Sequence, residues 1–238
     1  VLIAASSLPG CAREASEVVL VSATSSLGGA FSEIEAAFED ANPGVDVVVN
    51  LAASSSIREQ VLAGAPVDVV ATASTGTMQP LVDAGMVGDP SVFARNEMQI
   101  AVPSSNPGGV TGLRDFSREE LLIGLCSVGV PCGDLAREVL AAAGVVPAQD
   151  TDEPNVGALV TKLTAGELDA GIVYVTDVLF AGTDLEGIDI PPDVNRMTTY
   201  PIAASTGAPN VSGADSFVAF VLSDEGREIL LQFGFVTP

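Results

Sequence analysis

The 238-residue chain carries 31 acidic against nine basic residues, a formal net charge of −22, which excludes a nucleic-acid partner because phosphate neutralisation needs clustered Lys and Arg. It has no histidine, which removes Ser-His-Asp and Cys-His catalysis in their usual forms and most zinc sites, and no G-x-x-x-x-G-K-[ST] run, which removes a P-loop. Hydrophobic content of 47% with 24 Gly and 15 Pro fits a globular α/β chain with ample core, and the acidic surface reads as a solubility device.

Residues 1–11, Val-Leu-Ile-Ala-Ala-Ser-Ser-Leu-Pro-Gly-Cys, read as the end of an apolar signal region. Leu8-Pro9-Gly10-Cys11 resembles a bacterial lipobox, in which small residues precede a cysteine that is lipidated after cleavage; the alternative is a stray cysteine in an unstructured terminus. The basic stretch that opens a signal peptide is missing, so the sequence is expected to begin inside one. Residues 1–16 are then signal remnant, lipobox and tether, with the mature protein starting at Cys11. No later run reaches the length of a membrane span, so attachment to the outer face of the cell membrane would be by lipid alone.

From residue 18 onward strands and helices alternate. Strand 18–22 leads to a helix from about Leu27 to Ala41 with Leu27, Phe31, Ile34 and Phe38 on one face, stopped by Asn42-Pro43-Gly44. The Val-rich strand 45–51 leads to a helix over 55–63, closed by Gly64. Val67 to Ala71 is a third strand, followed by a short helix from Met78 to Ala84. Three β–α units in a row predict a parallel, doubly wound sheet with right-handed crossovers. Asp68 reads as structural, accepting local backbone hydrogen bonds, and Arg58 as part of a solvated helix face.

Glu97 to Val102 is another strand, and Pro103-Ser104-Ser105-Asn106-Pro107-Gly108-Gly109 is the strongest turn cluster. A second set follows: strand 121–125, helices 134–143 and 156–164, strand 171–175, helix 176–181 and strand 187–190. Thr199 to Ala204 reads as a strand returning to the first half, and helices over 213–222 and 224–233 finish the chain. The expected division is 17–100 plus 201–238 for one lobe and 101–200 for the other. Two crossings between lobes make a hinge, and a hinged cleft closes on small ligands. Cys126 and Cys132 flank Gly129 and Pro131 in a loop; outside the cytoplasm a disulfide is the natural reading, with a two-cysteine metal clip as the alternative.

Two stretches carry the chemistry. Ser22-Ala23-Thr24-Ser25-Ser26-Leu27 and Ala53-Ser54-Ser55-Ser56-Ile57 each place hydroxyls where a strand becomes a helix. A helix start leaves backbone N–H groups without intrahelical partners, and these, with the helix dipole, favour an anion. Two such turns in consecutive β–α units converge at the carboxyl ends of a parallel sheet.

These motifs, with Gly64-Ala65-Pro66-Val67-Asp68-Val69, Val92-Phe93-Ala94-Arg95-Asn96, Val130-Pro131-Cys132-Gly133, Asn155-Val156, Asp169-Ala170-Gly171-Ile172-Val173-Tyr174 and Tyr200-Pro201-Ile202-Ala203, occur in the order found in the substrate-binding proteins of bacterial molybdate ABC importers. The sequence resembles that family from about 18 to 235. The resemblance implies a two-lobed, periplasmic-binding-protein-like (type II) α/β fold, each lobe a mainly parallel sheet flanked by helices. It implies an extracytoplasmic, monomeric, non-enzymatic protein without a cofactor that hands its cargo to a membrane permease and its ATPase.

The family binds a tetrahedral oxyanion through hydroxyls and backbone N–H groups from both lobes. Carried over by position, Ser26 and Ser54 supply hydroxyl and amide, Cys132 and Val156 a backbone N–H, and Tyr174 its phenol. Ser25 could stand in for Ser26, and a slip of one within Ser54 to Ser56 stays open. Cys132 departs from the small residue many members carry, which a backbone donor tolerates; a Cys126–Cys132 disulfide would hold its loop in shape before ligand arrives. Donors alone satisfy a deprotonated dianion such as molybdate or tungstate but leave a protonated phosphate's O–H without an acceptor, and sulfate is too small to reach every donor. Two other readings compete: a same-fold binding protein for sulfate or a small organic acid, and a hydrolase using Ser26 or Ser54 as nucleophile with an acidic residue or Lys162, the sole lysine, as base.

Overall fold

Leu27, Ala30, Phe31, Ile34 and Phe38 recur at helical spacing and are all buried, so the first long helix forms by pressing one apolar stripe onto the Val-rich strands before and after it. The computed structural model of the chain describes residues 17–238; the lipobox and Cys11 lie outside the described residues. Strand β1 (Glu17–Thr24) runs through a 3-10 turn (Ser25–Leu27) into α1 (Gly28–Ala41). Then come β2 (Val45–Ala52), α2 (Ser54–Leu62), β3 (Val69–Ala71) and α3 (Thr75–Asp83). β1 pairs in parallel with β2 and with β3.

β4 (Ser91–Pro103) is longer than its sequence pattern suggests, because a bulge between Val92 and Ala94 breaks the alternation over its first residues. Its first part, to Glu97, pairs antiparallel with β9 (Met197–Ala204), which in turn pairs with β3. From Met98 onward β4 pairs instead with β7 (Ala170–Tyr174) and β8 (Leu185–Asp189). Pairing therefore changes hands at Glu97/Met98 and ahead of Met197, a few residues before the expected 101 and 200. Two strands, β4 and β9, thus carry the chain between halves.

The second half continues with β5 (Ile123–Cys126), α4 (Pro131–Ala142), β6 (Gln149–Glu153), α5 (Val156–Thr164) and α6 (Val175–Ala181). β6, all polar at Gln-Asp-Thr-Asp-Glu, lies at the sheet edge in parallel with β5, which itself pairs in parallel with β7. The complete order is β2-β1-β3-β9-β4-β7-β5-β6, with β8 on β4. α7 (Val211–Val221) and α8 (Asp224–Gln232) close the first half. Near the C-terminus, Arg95 and Val236 exchange backbone hydrogen bonds of 2.7 and 3.0 Å, so the last residues bridge onto β4 beside the crossing.

Each half has its own core, and among the described residues no helix is long and apolar enough to cross a membrane. In the first half, Phe31, Phe38, Phe93 and Phe217 pack with ring centroids 5.3–6.1 Å apart, mostly tilted or edge-on. Each fully buried phenylalanine contributes roughly 1.5–3 kcal/mol. Asp68 is structural as expected, yet its partners are distant in sequence: its two carboxylate oxygens accept from Leu20 N–H and Asn210 N–H, both at 2.7 Å, tying β1 to the start of α7. Arg58 pairs with its neighbour Glu59 on an exposed helix face. Cys126 and Cys132 are bonded, with Cα atoms 5.8 Å apart, which takes both sulfurs from any metal clip.

Candidate functional site

The segments that follow the carboxyl ends of β1, β2, β3, β5, β6 and β7 each lead into a helical segment, and these turns meet. A cavity of about 10 Å³ lies among them, lined by Thr24, Ser25, Ala53, Ala73, Val130, Pro131, Cys132, Asn155, Val156 and Tyr174. Its walls come from both halves and hold no charged side chain.

Three α-helices begin at its wall. Ile57 N–H is the first in α2 to find a carbonyl, that of Ala53, and Leu159 N–H likewise finds Asn155 at the start of α5. The N–H groups of Ser54 to Ser56, and those of Val156 and Gly157, therefore precede the first helical bond. In α4 the first bonds run from Gly133 and Asp134 to Val130, leaving the Cys132 N–H ahead of them; Pro131, at the first helical position, has no N–H to satisfy. N–H groups ahead of the first helical bond, and the aligned dipoles at these helix starts, make the cavity wall electropositive without a cation.

The second half braces its two turns in several ways. Besides the disulfide, the Arg137 guanidinium donates to the carbonyls of Cys126 (2.6 Å) and Gly133 (2.9 Å) and to Asp152. A side chain on Gly133 would run into the Cys126 and Ser127 carbonyls, so only glycine lets α4 start this close to β5. Asn155 caps α5 by accepting from Ala158 N–H (2.9 Å), and the preceding Glu153, buried, pairs with Lys162 at 2.6 Å.

Two hydroxyls complete the wall. Tyr174 is 1% exposed and its phenolic oxygen, close to the Tyr200 hydroxyl, has no protein partner in good hydrogen-bond geometry; the Ser25 hydroxyl is likewise buried and without a protein partner. Burial, then the neighbouring Tyr200 and Asp177, hold the Tyr174 phenol well above its ordinary pKa, so it keeps its proton and remains a donor. A buried hydroxyl left without a partner costs about 1–3 kcal/mol, a cost that an acceptor seated in the cavity would offset.

Of the residues expected from sequence, Cys132, Val156 and Tyr174 line the cavity. Ser54 stands one residue behind Ala53, its hydroxyl accepting from Ala73 N–H at 3.0 Å and keeping its own proton to give. Ser26 stands one behind Ser25; its hydroxyl meets Tyr200 Oη at 3.0 Å and borders a different space. That neighbouring pocket, about 410 Å³, is walled by Leu51, Phe180, Phe233 and Phe235 and includes the Asp177 carboxyl. Burial raises Asp177 to about 7, opposed by its hydrogen bond from Tyr174 N–H. Tyr200 and Asn96, which the sequence motifs contain without giving them a role, and Thr198, which no motif covers, hold these turns from behind, and Ala73 is a lining residue the sequence did not single out.

The α/β fold, two halves joined by β4 and β9 with helix starts meeting between them, is that of the periplasmic binding proteins. The chain belongs to the bacterial extracellular solute-binding protein family, which it matches over residues 19–236. It is 34% identical over 233 residues to the molybdate-binding protein ModA of Mycobacterium tuberculosis, covering 98% of this chain and 89% of that one. Its fold superposes on the periplasmic molybdate-binding protein of Azotobacter vinelandii with a TM-score of 0.82 at 18% identity, covering 92% and 99% of the two chains. The sulfate-binding protein SubI of Mycobacterium tuberculosis gives the same TM-score at 17% identity, covering 93% and 87%. The fold alone therefore does not choose the anion.

Proposed function

We propose that this protein captures molybdate, and tungstate with it, in the small cavity and delivers it to the permease and ATPase of an ABC importer. The observation that carries the reading is the pair of buried, unpartnered hydroxyls of Ser25 and Tyr174 facing one uncharged cavity at three helix starts. Support for molybdate in particular comes from the ModA relative. The donors are the Ser25 and Tyr174 hydroxyls, the Ser54 hydroxyl and amide, and the Cys132 and Val156 N–H groups. Ser25 takes the hydroxyl role that the motif carries over to Ser26, whose own hydroxyl is held by Tyr200.

A dianion bound in this way exchanges its hydration for fixed donors, each bond to a charged group contributing roughly 1.5–3 kcal/mol. The net charge of −22 is no obstacle, because charges beyond about 8 Å are screened at physiological ionic strength. A space of about 10 Å³ takes about one water-sized sphere, so seating a tetrahedral oxyanion parts the turns slightly on the β4 and β9 crossings. Lipidation at Cys11 would tether the protein outside the membrane.

Calorimetric titration with molybdate, tungstate, sulfate and phosphate tests the reading. Sub-micromolar binding of the first two and weak or no binding of the others is expected. Equal affinity for all four, or none for molybdate, overturns it.

A further inference from the structure

The turns that form the donor ring are gripped from behind by the two crossing strands. On β9, Tyr200 and Thr198 are alternate residues, both buried. Tyr200 Oη meets Ser26 Oγ at 3.0 Å, inside the turn that presents Ser25. Thr198 Oγ1 donates to the Ala73 carbonyl at 2.5 Å, and Ala73 N–H donates to Ser54 Oγ at 3.0 Å. On β4, Asn96, directly opposite Thr198 in register and 2% exposed, donates from Nδ2 to Thr176 Oγ1 at 2.7 Å and reaches Tyr200 Oη at 3.5 Å. Thr176 lies two residues beyond Tyr174 and next to Asp177, whose carboxylate accepts from Tyr174 N–H. Ser26 and Thr176 thus sit within one or two residues of a cavity-lining group, Ala73 lines the cavity itself, and all three are bonded to the crossing strands. The bonds are buried, and Ser26 to Tyr200 spans 174 residues of sequence.

We propose that Tyr200, Thr198 and Asn96 are positioning residues for anion binding, a polar framework inside the hinge that holds the Ser25, Ser54 and Tyr174 turns in register. The inference rests on the cavity being the oxyanion site. It goes further in assigning affinity to side chains that never touch the ligand. If the framework fixes the ring, removing one of its hydroxyls without changing shape weakens binding, although every direct donor remains. A buried hydrogen bond that merely stabilises the fold would instead lower the melting temperature and leave the affinity of the folded protein unchanged.

The experiment compares Tyr200→Phe, Thr198→Val and Thr176→Val with the unaltered protein, reading molybdate Kd by calorimetry and the ligand-free melting temperature in parallel. Each is expected to raise Kd about tenfold, one hydrogen bond's worth. Thr198→Ser and Thr176→Ser, which keep the hydroxyl, are expected to return Kd to within twofold. Tyr200→Phe combined with Thr198→Val should raise Kd by less than the product of the single effects, because one strand carries both grips. Unchanged Kd with lowered melting temperature in all three, or serine variants as weak as the valine ones, overturns the proposal. Tyr174→Phe separates the two readings: if it loses molybdate while the hinge variants bind normally, only the positioning role fails. If the unaltered protein binds no molybdate, the oxyanion reading and this inference fall together.

Discussion

The 10 Å³ cavity and the 410 Å³ pocket share Ser25 and little else. The cavity is walled by helix starts, two unpartnered hydroxyls and a disulfide-bound turn, with no charge of either sign. The larger pocket is faced with phenylalanine and leucine, and its buried acid is a carboxyl that would repel an anion. Phe180 of α6 lies over Gly29 of α1 there, its ring centroid 6.3 Å from that of Phe233. Of these two neighbours, the pocket is the roomier and the cavity has the donor chemistry. For a small, strongly hydrated dianion the chemistry decides, because only fixed donors can replace the lost water.

Substitutions can break or sharpen this contrast. Tyr174→Phe has the largest expected effect. Losing a donor to a charged ligand weakens molybdate binding by about 1.5–3 kcal/mol, while deleting an unpartnered buried hydroxyl raises the ligand-free melting temperature. Calorimetry and thermal melts on one preparation check both signs, and a variant that loses affinity and stability together argues against the cavity. Removing the disulfide with Cys126→Ala and Cys132→Ala should cost about 2 kcal/mol in urea unfolding, the loop-entropy value for so short a ring, and loosen the turn bearing the Cys132 N–H. Ser25→Ala should weaken molybdate binding toward the lower end of the same range of about 1.5–3 kcal/mol, more than tenfold in Kd, and more than Ser26→Ala does; the reverse order would return the donor role to Ser26.

The pocket should respond to pH instead. Asp177 has a folded pKa of about 7 against 3.8 unperturbed, so its protonated form is favoured by folding. The stability it contributes is full below about pH 4 and is lost as pH rises toward 7. Asp177→Asn, which can still accept from Tyr174 N–H, should remove that segment of the stability profile, as melts across pH 4–8 would reveal. Smallest of all, Phe180→Ala should leave the molybdate Kd within about threefold, since its ring borders the pocket and not the cavity. A tenfold loss there would mean that the pocket belongs to the site.

Much of this was legible in the residues. Leu27, Phe31, Ile34 and Phe38 announce α1 by period alone, and Gly64, read as closing a helix, does so at positive φ, as Gly85, Gly144 and Gly166 do after α3, α4 and α5. β6 was not legible, because Gln149–Glu153 is an edge strand with neither alternation nor apolar content. The first residues of β4 were hidden by a bulge. At the site, Cys132, Val156 and Tyr174 come through the family motif, whereas chemistry alone gives no reason to notice a valine or a backbone amide. The choice between Ser25 and Ser26 depends on the phase of a 3-10 turn, which adjacent serines cannot reveal. Tyr200, Thr198 and Asn96 join partners 80 to 174 residues away, a distance over which local pattern carries no information.

The bridge between Val236 and Arg95 bears on how the molecule can be handled. Arg95 precedes Asn96, so the bridge at Val236 splints β4 just ahead of the point where its pairing passes from one half to the other. A bulky label placed at Val236 would disturb that crossing, and breaking the two hydrogen bonds of the bridge would unzip it. Reporter groups are better mounted on the exposed face of α2 or α4 than beside this bridge.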